Sequence, residues 1–375
     1  FQHRSHGPSP GGAPTAMRRE SAPGGALPSE WMEAKAPDGR TYYYNQNGET
    51  TWQRPSAAPP TPRSSSVGGV PGIPGATGAA MTGGGASSAQ SSQPANPEHS
   101  RLAQELLSRL PQNLRRVPTT EIKVAAAIGK GCYGTVYEGQ WSGRPVAVKS
   151  LDASARTDFA KSIDEFETEV VLMTKIPPHQ HVLGILGVLT TLPNLSIILE
   201  FMELTDLYAV LTSGDPISAS MEDMWVSGIA NGLRHIARTG IIHRDIAARN
   251  VLLNRDYQPK IADFGLAVTV ADNGVMEETA LNKWLAPEAI RDRIYSLKSD
   301  VWSYGVTVWE IVEKSIPYPG LDPMMAAMRI VGEGLTPEIS NNASPQHQAV
   351  MKACFVLEQE KRASMEDICN ILQIP

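Results

Sequence analysis

Gly129, Gly131 and Gly134 stand at Gly-x-Gly-x-x-Gly spacing, Val136 follows them, and Val146-Ala147-Val148-Lys149 places a lysine fifteen residues after Gly134. Glycines let a backbone approach phosphate oxygens without a Cβ in the way. The same glycine pattern opens dinucleotide folds, but those need a helix directly afterwards and an acidic residue about 20 positions on. Here Val136-Tyr137 and Trp141-Ser142-Gly143-Arg144 read as strand, turn, strand, and the dinucleotide reading fails. Further along stand His243-Arg244-Asp245-Ile246-Ala247-Ala248-Arg249-Asn250, then Asp263-Phe264-Gly265, then Ala286-Pro287-Glu288. Glycines, a lysine, two aspartates and an amide in this order read as a phosphate-handling constellation.

These four ordered motifs resemble the eukaryotic protein-kinase catalytic domain, from roughly Thr119 to Gln373. The resemblance implies a two-lobed α+β fold, with a β-rich N-lobe and an α-rich C-lobe. It implies transfer of the γ-phosphoryl of ATP to a protein hydroxyl, with Mg2+ (Mn2+ as an alternative) as the metal. The implied catalytic set is Asp245, Lys149, Glu169 and Arg249. Asp245 would accept the substrate hydroxyl's proton, and Lys149 would hold the α- and β-phosphates. The run Ile163, Phe166, Val170, Met173 is apolar at helical 3/4 spacing. Glu169 lies beside that stripe and is the expected ion-pair partner of Lys149, while Glu165 and Glu167 read as solvated. Asn250 and Asp263 would hold the magnesium, which prefers hard oxygen ligands. By resemblance, Ile128, Gly129, Gly131, Gly134, Val136, Ala147, Leu199 and Leu252 would enclose the nucleotide, with hinge backbone from Glu200 to Met202. Cys132, inside the glycine loop, reads as inert.

Which hydroxyl is phosphorylated depends on finer features. Ala247 stands where serine/threonine kinases usually have a lysine, and Arg249 and Lys283-Trp284 match the tyrosine-kinase pattern. The expectation is therefore a tyrosine kinase, with a serine/threonine-specific tyrosine-kinase-like enzyme as the alternative and a silent scaffold as the remote one. Two departures stand against tyrosine: Ala280-Leu281-Asn282 lacks the frequent proline, and Leu266 to Leu285 contains no tyrosine. Arg244 resembles the arginine that pairs with an activation-loop phosphate, and the hydroxyls available there are Thr269 and Thr279. The enzyme is expected either to be active without loop phosphorylation or to be switched at Thr279.

A second, smaller motif precedes these. Trp31 and Trp52 flank Tyr42-Tyr43-Tyr44-Asn45, with Pro55 after them, and the segment resembles a WW domain. Asp38-Gly39 and Asn47-Gly48 supply two hairpin turns for a three-stranded, all-β module. Trp31, Tyr43 and Pro55 would clamp one face, leaving Tyr42 and Trp52 on the other to hold a polyproline helix. Gln46 replaces a histidine common in Pro-Pro-x-Tyr readers, so a plain proline-rich ligand is expected. Ala58-Pro59-Pro60-Thr61-Pro62 starts too close to Pro55 to fold back and reads as linker.

The elements that must carry these residues fit the composition. The 375 residues have 33 basic and 39 acidic side chains, a net charge of −6, which offers no basic surplus for nucleic acid. With 41% hydrophobic and 19% charged residues, a sizeable core is expected. Twenty-nine of the 61 glycines and prolines fall in the first 98 residues. Residues 1–26 therefore read as disordered, 27–56 as the WW domain and 57–97 as a flexible linker. Residues 98–118 read as a short helix and lead-in, begun by Asn96-Pro97 and carrying Leu102, Leu106, Leu107 and Leu110 on one face. Residues 119–375 form the kinase domain, strand-rich to about Phe201 and helical afterwards. Val182 to Leu199 is free of charge for 18 residues, but Thr190, Thr191, Pro193 and Asn194 make it two strands and a turn rather than a membrane span. Three cysteines, Cys132, Cys354 and Cys369, make no disulfide framework and suit a reducing, cytoplasmic location. Phe1 is not an initiator methionine, which points to a piece of a longer chain.

Overall fold

A computed structural model describes residues 31–35, 41–45, 50–51, 97–131, 134–151, 159–189, 195–272 and 281–375. Strands β1 (Trp31–Lys35), β2 (Thr41–Asn45) and β3 (Thr50–Thr51) form a small sheet in that order. Glu33 pairs with Tyr43, Tyr43 with Thr51, and Tyr43 is buried. Tyr42 lies on β2 opposite Ala34. Trp52, Pro55, both hairpin turns, residues 1–26 and 57–96, Cys132 and Thr279 lie outside the described residues.

Helix α1 (Pro97–Arg109) and strand β4 (Arg116–Val117) lead into a six-stranded sheet. Its other strands are β5 (Ile122–Gly131), β6 (Gly134–Trp141), β7 (Arg144–Leu151), β8 (Ile185–Leu189) and β9 (Ser196–Glu200). The order is β4-β8-β9-β7-β6-β5, antiparallel except where β4 joins the edge beside β8. Between β7 and β8 the chain forms α2 (Phe159–Lys175). Ile163, Phe166, Val170 and Met173 are buried, so the 3/4 spacing of the stripe packs one helix face inward. The charge-free run supplies β8 and β9, which pair with each other, and its turn residues lie outside the described residues. Among the described residues no helix is long and apolar enough to cross a membrane.

The helical lobe holds α3 (Leu207–Thr212), α4 (Ala219–Arg238), short strands β10 (Ile241–Ile242), β11 (Val251–Leu253), β12 (Pro259–Ile261) and β13 (Val268–Thr269), then α5 (Pro287–Asp292), α6 (Leu297–Glu313), α7 (Pro323–Glu333), α8 (Pro345–Cys354) and α9 (Met365–Ile371). A capping box starts α6, the Ser296 hydroxyl accepting from the Ser299 N–H and the Ser299 hydroxyl from the Ser296 N–H. Its residues from Ser299 to Val312 are all buried, which makes it the central post of the lobe. Two-stranded ladders β10–β13 and β11–β12 pin the loops between them, and those loops carry His243 to Asn250 and Asp263 to Gly265. One apolar cluster runs from α1 and α2 through the sheet's inner face into α4, α6, α8 and α9. The fold is therefore the two-lobed α+β arrangement, a sheet-built N-lobe over a helical C-lobe.

Behind the cleft, the loop from α2 to β8 rests on α4. The His179 ring stacks on His235 of α4, centroids 4.5 Å apart, and His181 Nδ1 lies 2.9 Å from the Pro259 carbonyl. Burial, with His235 and His181 beside it, holds the His179 imidazole down to about 4.

Candidate active site

Between the lobes lies a cavity of about 560 Å³. Ile128, Gly129, Gly134, Val136, Ala147 and Lys149 line it from the sheet, Glu169 from α2, Leu199 and Glu200 from the end of β9 and Met202 from the segment that follows it. Arg249, Asn250, Leu252 and Asp263 close it from below. Gly131 pairs with Gly134 across the β5–β6 hairpin, and Gly134 has φ 149°, a conformation side chains rarely adopt. Among residues not expected from the sequence, Met173, Leu183, Thr205 and Asp206 also line the cavity.

Lys149 sits on β7, whose alternation turns Val146 and Val148 into the core. Its Nζ donates to Glu169 Oε1 at 2.7 Å and to Asp263 Oδ1 at 3.1 Å. Burial alone would depress the ammonium, but the Asp263 and Glu169 carboxylates outweigh it and hold the pKa above its ordinary value. Partial desolvation in the cleft works against the Asp263 carboxylate, yet the Lys149 ammonium beside it keeps its pKa below the usual value. For Glu169 burial pushes upward, opposed by Lys149. Glu165 is half-buried, and Glu167, expected in solvent, pairs with Arg109 at 2.8 Å because α1 covers that side of α2.

Below the lysine, Asp245 takes two donors. Arg249 Nη2 reaches its Oδ1 at 2.6 Å and Asn250 Nδ2 its Oδ2 at 2.7 Å. Such fixed donors keep the carboxylate in one orientation. Engaging the Asn250 nitrogen leaves its Oδ1 as an acceptor, and no protein group among the described residues donates to it. The Asp263 side chain is 41% exposed. A carboxylate and an amide oxygen on one cavity wall form a hard-oxygen pair that fits a magnesium ion with its waters. Asp263 adopts φ 63° and Arg244 φ 69°, strained conformations that the surroundings must hold.

Part of that hold comes from residues the sequence reading did not assign. Asp300 of α6 accepts the backbone N–H of His243 at 2.7 Å and of Arg244 at 2.9 Å, while burial pushes its carboxyl up to about 7. Glu310, nearly three turns further along α6, accepts the Ala248 N–H at 3.0 Å and the Trp284 indole N–H at 2.8 Å. Its carboxyl is also raised by burial to about 7. A charge inside the apolar run Val301 to Val312 was the available signal. His243 Nε2 faces the Ala262 carbonyl at 3.1 Å, which puts the ring proton there and leaves Nδ1 to accept the Asp245 N–H at 3.4 Å. The same ring meets Phe264 edge-on, 4.9 Å between centroids.

Arg244 Nε donates to the Leu266 carbonyl, and its guanidinium lies 5.3 Å from the Tyr295 ring centroid. Thr269, half-buried on β13, donates its hydroxyl to Asp272.

Comparison with known proteins agrees with this geometry. The profile described as protein tyrosine and serine/threonine kinase matches residues 122–372, and the WW domain profile matches residues 27–55. Serine/threonine-protein kinase STY17 of Arabidopsis thaliana is 29% identical over 73% of this chain and 49% of its own length. STY46 of the same plant is 33% identical over 67% of this chain and 44% of its own. Probable serine/threonine-protein kinase drkB of Dictyostelium discoideum is 31% identical over 68% and 37%. The matches thus span less than half of each relative's length. The chain belongs to the protein tyrosine and serine/threonine kinase family and carries a WW domain ahead of the catalytic domain.

Proposed function

We propose that this chain is an active protein kinase moving the γ-phosphoryl of Mg-ATP to a serine or threonine hydroxyl of a protein substrate. The observation that carries the reading is Lys149 Nζ held between Glu169 and Asp263, at 2.7 and 3.1 Å, on the wall of the interlobe cavity. A lysine oriented by carboxylates presents a fixed positive charge to the α- and β-phosphates, so binding costs little rearrangement. Magnesium, when bound, neutralises charge on the transferring phosphates, and Asp263 and Asn250 would be its protein ligands. Asp245, held by Arg249 and Asn250, would accept the substrate proton and aim the oxygen for in-line attack. Ile128, Val136, Ala147 and Leu252 would sandwich the adenine, with Glu200 and Met202 at the hinge.

Serine/threonine specificity, the alternative of the sequence reading, is preferred to tyrosine because the relatives reported above bear serine/threonine-kinase names. Tyrosine specificity is the second reading, favoured by Ala247-Ala248-Arg249 and Lys283-Trp284. The WW domain would recruit proline-rich segments through Tyr42 and Trp52 and raise substrate concentration near the cleft. The enzyme would either act without loop phosphorylation or be switched at Thr279, which lies outside the described residues. A cytoplasmic place of action accords with Cys354 and Cys369 being free thiols.

The test is phosphoamino-acid analysis after incubation with Mg-ATP and a mixed serine, threonine and tyrosine peptide pool, with Asp263→Asn as the blank. Phosphoserine or phosphothreonine absent from the blank is the expected product. Phosphotyrosine alone would move the enzyme to the second reading, and no product above the blank would sink the kinase proposal.

A further inference from the structure

The kinase family profile begins at residue 122, yet the packed structure around α2 begins before it. Helix α1 comes from the segment that leads out of the WW domain. Leu106 and Leu110 are buried in the same apolar cluster as Ile163, Phe166 and Val170 of α2. Arg109 Nη2 reaches Glu167 Oε2 at 2.8 Å and Asp164 Oδ1 at 3.7 Å, both on α2. The far end of the lead-in is locked to the sheet. β4 runs parallel to β8 through Arg116–Val188 and Val117–Leu189, and the Val188 N–H donates to the Arg115 carbonyl at 2.9 Å. A Cβ on Gly187 would come within 2.6 Å of that carbonyl, so the glycine is what lets the strand approach. Arg116 Nη2 donates to the Leu107 carbonyl at 2.6 Å and ties strand to helix.

α1 is therefore anchored on the sheet edge and laid against the helix that carries Glu169. A helix of this size owes most of its stability to what covers its apolar face. Packed helices shift as rigid units between discrete seats rather than deform. A shift of α2 would separate Glu169 from Lys149, 2.7 Å apart in this seat.

We propose that α1 is a brace for α2. Leu106, Leu110 and Arg109 are positioning residues that act through Glu169, and α1 sets the fraction of enzyme with the Lys149–Glu169 pair closed. The inference rests on the kinase reading for its activity readout only.

The experiment uses the full chain in four forms: native, Leu106→Ala, Glu169→Gln and the double variant. If the brace works through Glu169, Leu106→Ala lowers kcat/KM on the order of tenfold in the native background and less than about twofold once Glu169 is Gln. Amide exchange across residues 159–175 then also quickens in Leu106→Ala. Equal fold losses in both backgrounds with unchanged exchange in α2 would overturn the proposal. Should Leu106→Ala fail to fold, Arg109→Glu replaces it, because that side chain is half-exposed, and Glu167→Arg added to it is expected to restore activity. No restoration counts against the brace. A native chain without turnover would sink the kinase reading and leave amide exchange to judge the brace.

Discussion

The indole N–H of Trp284 lies 2.8 Å from Glu310 Oε2, joining the segment before Ala286-Pro287-Glu288 to the central helix of the C-lobe. The same oxygen accepts the Ala248 N–H, and the Trp284 ring carries the Arg249 guanidinium 4.5 Å from its centroid. Arg249 in turn holds Asp245. One buried carboxylate therefore supports the loop from His243 to Asn250 from two sides. Its other oxygen, Oε1, has no hydrogen-bond partner among the described residues.

Replacing Glu310 separates charge from hydrogen bonding. Glu310→Leu strands two buried donors and is expected to destabilise the C-lobe by about 2–4 kcal/mol. Glu310→Gln keeps an acceptor and is expected to cost clearly less. Urea unfolding of the three proteins measures the difference, and equal losses would show that a neutral acceptor at this position does not stabilise the two donors.

At the cleft, Lys149→Met removes the cation that two carboxylates orient. Turnover should fall on the order of a thousandfold while the melting temperature moves little. Asp263→Asn should fall as far and lose its response to magnesium concentration. Steady-state kinetics over a magnesium titration, with thermal melting alongside, checks both.

His179 makes stability depend on pH. Its folded pKa, down to about 4, lies below the ordinary histidine value, so the unfolded chain binds the extra proton first. The contribution is full above about pH 6.5 and is lost as pH falls towards 4. His179→Gln should lack this loss. Going from pH 7 to pH 5 should cost the native protein about 1 kcal/mol more than the variant, after allowance for solvent screening. Chemical denaturation at the two pH values measures it, and parallel losses would rule the histidine out.

For the WW domain the prediction concerns substrate capture. Trp52→Ala should raise KM several-fold for a substrate carrying a proline-rich segment and leave kcat unchanged. Unchanged kinetics on that substrate would remove the tethering role.

Much of this molecule can be read from the chain alone. The glycine spacing, the His243 to Asn250 run and Asp263-Phe264-Gly265 are short, contiguous patterns, and each marks a local backbone with its own chemistry. The 3/4 stripe on α2 and the broken charge-free run predicted a helix and two strands because burial imposes those periods. Which glutamate meets Lys149 is a weaker signal, since Glu165, Glu167 and Glu169 share one helix and differ only in what covers them. Tertiary packing decided that Glu167 goes to Arg109, that Asp300 and Glu310 hold the loop from His243 to Asn250, and that Leu106 and Leu110 of the lead-in rest against α2. Those partners lie tens of residues apart, and no local period records them. A buried carboxylate finds its donors only when distant elements close over it, which is why the chemistry is written in the motifs and its support in the fold.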